Sequence, residues 1–91
     1  MPRLERDITI VNKLGLHARA ATKMAILASE FKASVTLIQG DKQAPASSVL
    51  GLLMLESGMG KTMRIVAEGD DAEQAMDALC NLVKARFDED C

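Results

Sequence analysis

Ile8-Thr9-Ile10-Val11-Asn12-Lys13-Leu14-Gly15-Leu16-His17-Ala18-Arg19-Ala20-Ala21 changes its hydrophobic period halfway along, and that change decides the fold. Ile8, Ile10 and Leu14 alternate with Asp7, Thr9 and Asn12, the spacing of a strand with one buried face. Gly15 breaks the alternation. From Ala18 onward Ala21, Met24, Ala25, Ala28 and Phe31 recur at three and four, with Lys23, Glu30 and Lys32 falling elsewhere. This spacing predicts an amphipathic helix of about 13 residues. His17 therefore stands where a strand hands over to a helix. It is the only histidine in the chain, and histidine is the side chain whose unperturbed charge changes near neutral pH. The positive end of a helix dipole disfavours imidazolium and attracts an incoming anion, which suits a nucleophilic ring.

Working outward, Val35 and Leu37 with the β-branched Thr36 and Ile38 give a second strand, ended by the hairpin signal Gly40-Asp41. A short third strand follows around residues 42–44. Pro45-Ala46-Ser47-Ser48 then leads into a short apolar helix over 49–55, whose first free amides a serine can cap. Gly58 and Gly60 mark a turn before a fourth strand over 62–67, with Met63, Ile65 and Ala67 facing inward. Asp70 or Asp71 caps a last helix whose buried stripe is Ala72, Ala75, Met76, Leu79, Cys80, Val83 and Phe87. The tail Asp88-Glu89-Asp90-Cys91 is expected to fray. The order strand, helix, strand, strand, helix, strand, helix predicts an α+β open-faced β-sandwich in one domain over residues 1–91. Four antiparallel strands are covered on one face by three helices, and the last strand inserts between the first two.

Ninety-one residues support one core. A chain that is 48 % hydrophobic and 26 % charged, with a net charge of −2, has neither the composition of disorder nor the field of a nucleic-acid binder. Phe31 and Phe87 are its only aromatics, so stacking platforms for a single strand are missing, and nucleic acid is not an expected partner. No apolar run approaches the roughly 20 residues of a membrane span, and the first residues lack the apolar centre of a signal peptide. A cytoplasmic protein without a membrane partner is the expectation. Cys80 reads as a small core residue and Cys91 as an incidental thiol, not as a disulfide. One histidine with two cysteines near the C-terminus matches no metal-ligand spacing, so neither metal nor cofactor is expected.

Arg19 places a permanent cation two residues from His17, and its fork suits phosphate oxygens. Gly15, Ala18, Ala20 and Ala21 leave the ring sterically open to an approaching partner. Gly58-Met59-Gly60-Lys61-Thr62 ends like a phosphate-binding P-loop, but Leu55 stands where that motif needs its first glycine, and a strand follows instead of a helix. Val49-Leu50-Gly51-Leu52-Leu53-Met54-Leu55 is apolar nearly all round, yet a short helix on a sheet buries only one side. Its outer side is expected to be exposed and to dock a partner protein, with Met54 and Met24 lending adaptability.

Leu14-Gly15-Leu16-His17-Ala18-Arg19-Ala20-Ala21 resembles the active-site segment of the HPr-type phosphocarrier family, and the similarity runs through most of the chain. Asn12-Lys13-Leu14-Gly15, Ser48-Val49 with Leu52-Leu53-Met54-Leu55, and Phe87-Asp88-Glu89-Asp90 are more similar to the nitrogen-related branch, NPr, than to sugar-transport HPr. The resemblance implies a phosphoryl carrier rather than a free-standing enzyme. An enzyme I-type donor charged by phosphoenolpyruvate phosphorylates His17 on Nδ1, and a IIA-type acceptor then receives the group. Arg19 takes the assisting position, with the amide of Ala18 also at the phosphoryl group, and docking falls to Ala20, Val49, Leu50, Leu53 and Met54. Ser48 falls where some relatives carry a regulatory phosphoserine, although capping the helix is a sufficient role. Ala20 replaces the usual proline, which implies a looser helix start. Ser47 replaces a lysine, and Gly51 leaves the docking helix uncharged. The alternatives are a sugar-transport HPr and a regulatory protein-binding module that acts without phosphate.

Overall fold

The computed structural model describes residues 2–88. Four strands, β1 (Arg3–Thr9), β2 (Ser34–Gln39), β3 (Lys42–Pro45) and β4 (Thr62–Glu68), form one sheet in the order β1-β4-β2-β3, with every neighbouring pair antiparallel. Three helices, α1 (Ala18–Ala28), α2 (Val49–Met54) and α3 (Ala72–Lys84), are interleaved with them in the chain. This is the expected open-faced α+β sandwich, with the last strand inserted between the first two. One continuous core joins Met24 of α1, Leu52 of α2 and Leu79 of α3 to Leu37, Met63 and Ile65 of the sheet.

β1 begins earlier than its hydrophobic pattern suggests. Arg3 to Asp7 belong to it as well: Leu4, Arg6 and Ile8 lie on one face, while Glu5 and Asp7 stand on the other beside Arg64 of β4. Arg64 Nε donates to Asp7 Oδ1 at 2.9 Å, and this guanidinium holds the Asp7 carboxyl below its usual range. Cross-strand ion pairing thus substitutes for apolar content on an open sheet face. Val66 breaks the alternation of β4 and is buried on that open face, because β4 is central and Glu5 and Thr36 flank the residue on either side.

Two expected caps have different outcomes. Ser48 is the N-cap of α2, and its side-chain oxygen accepts from Gly51 N at 3.0 Å. Asp71 occupies the N-cap position of α3 but makes no side-chain cap. Its carboxylate instead accepts from the amides of Lys32 at 2.9 Å and Ala33 at 2.7 Å, tying the segment before β2 to the start of α3. Those backbone donors, Lys32 first, lower the Asp71 pKa against a smaller opposing effect of burial.

The last helix is shorter than its stripe. α3 stops at Lys84, and Arg86, Phe87 and Asp88 follow with φ of 59°, 54° and 64°. Each left-handed placement costs about 1–2 kcal/mol, and the turn carries Phe87 into the core, where it is fully buried. Lys23 of α1 fastens it, donating from Nζ to Phe87 O at 2.8 Å and lying 3.5 Å from Asp88 Oδ2. The expected fraying therefore does not apply to Asp88, whereas Glu89, Asp90 and Cys91 lie outside the described residues. Cys80 is a buried free cysteine, as the stripe required. Lys61 and Thr62 lead directly into β4, so the Gly58–Lys61 turn has no helix to receive a phosphate. No described helix is long and apolar enough to cross a membrane, and no described cluster of His, Cys, Asp or Glu could hold a metal ion.

Candidate functional site

His17 is the N-cap residue of α1. Its backbone is extended, with φ −83° and ψ −178°, and its carbonyl accepts the first helical bond, from Ala21 N at 2.8 Å. The ring is half-buried, and it makes no capping bond to the helix. By helix geometry the amides of Ala18, Arg19 and Ala20 precede the first residue that can donate to an i−4 acceptor inside the helix. No acidic residue lies in the first turn. The end of α1 therefore presents donors and a partial positive charge beside the ring, with nothing anionic in that turn to compete.

Ala18 and Arg19 are exposed on this turn, next to His17 in the chain. Ala20, expected on the docking surface, is fully buried. It shares the inward face of α1 with Ala21 and Met24, so it packs the helix and is not open to a partner. Met24 is corrected for the same reason. The helix that carries His17 is thus fixed from beneath by small side chains and packs against α2 and α3.

The segment before His17 departs from the faces expected for it. Leu14, expected inward, is 67 % exposed, and Asn12, expected outward, is fully buried. Strict alternation places Asn12 on the same face as Ile8 and Ile10, so its burial agrees with a period of two and only Leu14 departs from it. Regular pairing of β1 ends at Thr9, and only Ile10 continues it, donating to Lys61 O and accepting from Gly60 N, both at 2.9 Å. Beyond it the chain turns, and alternation no longer governs. Asn12 Nδ2 donates to Gly15 O at 2.8 Å, while Gly15 N donates to Asn12 O at 3.2 Å. Asparagine ahead of a glycine is a turn former, and that was the available signal in the sequence.

Gly15 has φ +67°, and a Cβ there would meet Ser57 O at 2.5 Å and Gly58 Cα at 2.8 Å. The loop after α2 therefore rests directly on the turn before His17. Leu16 N donates to Ser57 O at 2.8 Å, and the buried Ser57 donates from Oγ to Gln39 Oε1 at the end of β2. α2 itself packs against α1. Its Leu52 is buried, Val49 is partly buried, and Leu50 (71 % exposed), Leu53 and Met54 (67 % exposed) face outward. Leu14 and Met59 add exposed apolar side chains from the two loops that meet at Gly15. Neither was anticipated, because one was assigned to a strand and the other to a glycine turn.

A four-stranded open sandwich that offers a single histidine at a helix start, beside exposed apolar side chains, has the form of a small carrier protein worked on by other proteins. It has no enclosed cleft of its own at the ring. Residues 4–85 match the family described as "PTS HPr component phosphorylation site". The chain is 66 % identical over 89 residues to phosphocarrier protein NPr of Shewanella violacea, covering 98 % of each. It is 45 % identical to phosphocarrier protein HPr of Cupriavidus necator, over 94 % of this chain and 97 % of that one. The crystal structure of HPr from Thermoanaerobacter tengcongensis superposes with a TM-score of 0.92 at 36 % identity, over 97 % of this chain and 99 % of that one. The chain belongs to the HPr family of phosphocarriers of the phosphotransferase system. Within that family its higher similarity to the NPr relative favours the nitrogen-related branch over the sugar-transport alternative.

Proposed function

We propose that this single domain relays a phosphoryl group through His17, from an enzyme I-type donor charged by phosphoenolpyruvate to a IIA-type acceptor, in the cytoplasmic, regulatory, nitrogen-related system. The observation that carries the reading is the position of His17: an N-cap ring on an 11-residue helix with no acid in its first turn. Neutral imidazole is the nucleophile. Its Nδ1 forms a bond to phosphorus as the bond from phosphorus to the donor's imidazole nitrogen breaks; the departing ring, protonated on its other nitrogen, leaves as neutral imidazole, and His17 gives up its Nε2 proton to solvent. The amides of the first turn, Ala18 among them, and the Arg19 guanidinium hold the phosphoryl oxygens as charge shifts between the two rings. The reverse geometry on the acceptor discharges the carrier.

Docking supplies most of the catalysis, since two rings held in line need little else. Leu50, Leu53 and Met54 form the contact surface, with Val49 at its edge, and Leu14 and Met59 extend it around the ring. The printed names of the relatives support the phosphocarrier chemistry, and the 66 % identity to an NPr supports the branch. Incubation with phosphoenolpyruvate and an enzyme I-type donor is expected to give one acid-labile, base-stable phosphoryl group, absent from His17→Ala. A full-yield, acid-stable product in its place would overturn the reading. Leu50→Glu is expected to leave folding intact and raise KM for the donor.

A further inference from the structure

The Gly15–Leu16 peptide unit, immediately before His17, is held at both of its polar ends. Its carbonyl accepts from Asn12 Nδ2 at 2.8 Å, and its N–H donates to Ser57 O at 2.8 Å. Asn12 is fully buried and Ser57 nearly so, so water does not compete for either bond. Hydrogen bonds to both ends fix the rotation of that peptide plane. Leu16 is buried beyond it, and α1 starts at the next residue but one. The imidazole therefore hangs between a clamped peptide, from which only the buried Leu16 separates it, and a packed helix.

From this arrangement we propose that Asn12 is a positioning residue for phosphoryl transfer: its buried carboxamide, with the Ser57 carbonyl opposite, sets the direction in which the His17 ring meets phosphorus. The inference rests on His17 being the accepting ring. Asn12 touches no reacting atom and acts through the Gly15–Leu16 peptide. Its donor is essential, because the Gly15 carbonyl needs an N–H and a carboxylate at residue 12 cannot supply one. Loss of the bond lets the peptide rotate, and an ångström of misplacement in a transfer step is worth about 10- to 100-fold in rate. Docking through α2 is untouched, since Leu50, Leu53 and Met54 lie there, and of the contact surface only Leu14 rides on the 12–15 turn.

The test uses the full chain as substrate of an enzyme I-type donor with phosphoenolpyruvate, comparing wild type with Asn12→Ala and Asn12→Asp. Alanine removes the donor. Aspartate keeps the shape and, when ionised, can only accept, so one variant remains informative where the other folds poorly. Each folded variant is expected to lower kcat by about 10- to 100-fold, with KM for this chain changing by about twofold at most. The Leu16 amide is expected to exchange faster, and the imidazole nitrogen shifts to move, while circular dichroism stays native. Unchanged kcat in a folded variant whose Leu16 exchange is accelerated would overturn the positioning role alone. So would a loss of rate that only follows the unfolded fraction. Failure of wild type to become labelled would overturn the proposed function instead, and the inference with it.

Discussion

Replacing Gly15 by alanine tests how tightly the loop after α2 supports the histidine, and the structure provides its own control. Gly15 and Gly40 have nearly the same backbone conformation, with φ of +67° and +61°. Alanine at either pays for a left-handed placement, about 1–2 kcal/mol. At Gly40 nothing lies within 4 Å of the added carbon, so that is the whole cost. At Gly15 the added carbon meets Ser57 O at 2.5 Å, where ordinary contact begins at 3.4 Å, so the carbonyl must retreat by about 0.9 Å. A retreat of that size carries the 2.8 Å Leu16 N to Ser57 O bond past hydrogen-bonding length and forfeits about a further 1 kcal/mol.

Gly15→Ala is therefore expected to lose about 2–3 kcal/mol. The domain still folds, because stabilities of 5–15 kcal/mol are usual. In urea, with a slope of about 1 kcal/mol/M for a chain this small, its midpoint should fall about 1 M below that of Gly40→Ala. Phosphoryl transfer should slow in the first variant and not in the second, since Gly40 lies in the β2–β3 hairpin. Equal urea midpoints for the two variants would refute the contact reasoning.

Ser48→Ala removes the oxygen that accepts from Gly51 N and is expected to cost about 1 kcal/mol by thermal melting, without loss of His17 labelling. Asp71→Ala is expected to lower the melting temperature at neutral pH. Because the amides of Lys32 and Ala33 hold the folded carboxyl below the usual carboxylate range, its stabilisation is present above that range and is lost as pH falls through the lower folded pKa. Wild type and variant should therefore converge in acid and diverge above about pH 4. Phe87→Ala should cost about 3 kcal/mol in urea unfolding, toward the low end for a buried phenylalanine, because the left-handed turn that delivers the ring relaxes once it is gone.

The strand order, the three helices and the identity of the candidate nucleophile were legible because each rests on a repeated pattern or on a residue type present once. Met63, Ile65 and Ala67 had to face inward for β4 to be central, and they do. What stayed hidden was polar groups that bond to backbone far along the chain. Asp71 reads as a cap because aspartate before an apolar stripe usually is one, but its acceptors serve amides 38 and 39 residues earlier. The alternation is readable only from Asp7 onward, because nothing in the local pattern of Arg3 to Arg6 announces the β4 partners opposite.

The exchange of Leu14 and Asn12 follows from the same physics and bears most directly on function. Alternation assigns faces only while a strand is paired, and β1 loses regular pairing after Thr9. Past that point each side chain goes where a partner exists. Asn12 turns inward because a backbone carbonyl needs its donor, and Leu14 turns outward because the 12–15 turn leaves it no core to enter. An unbroken strand would have kept residues 12 and 14 on one inward face, burying Leu14 and removing the apolar contact beside His17. The irregular stretch between strand and helix is thus where this fold acquires its site, and it is the stretch where a periodic reading carries the least information.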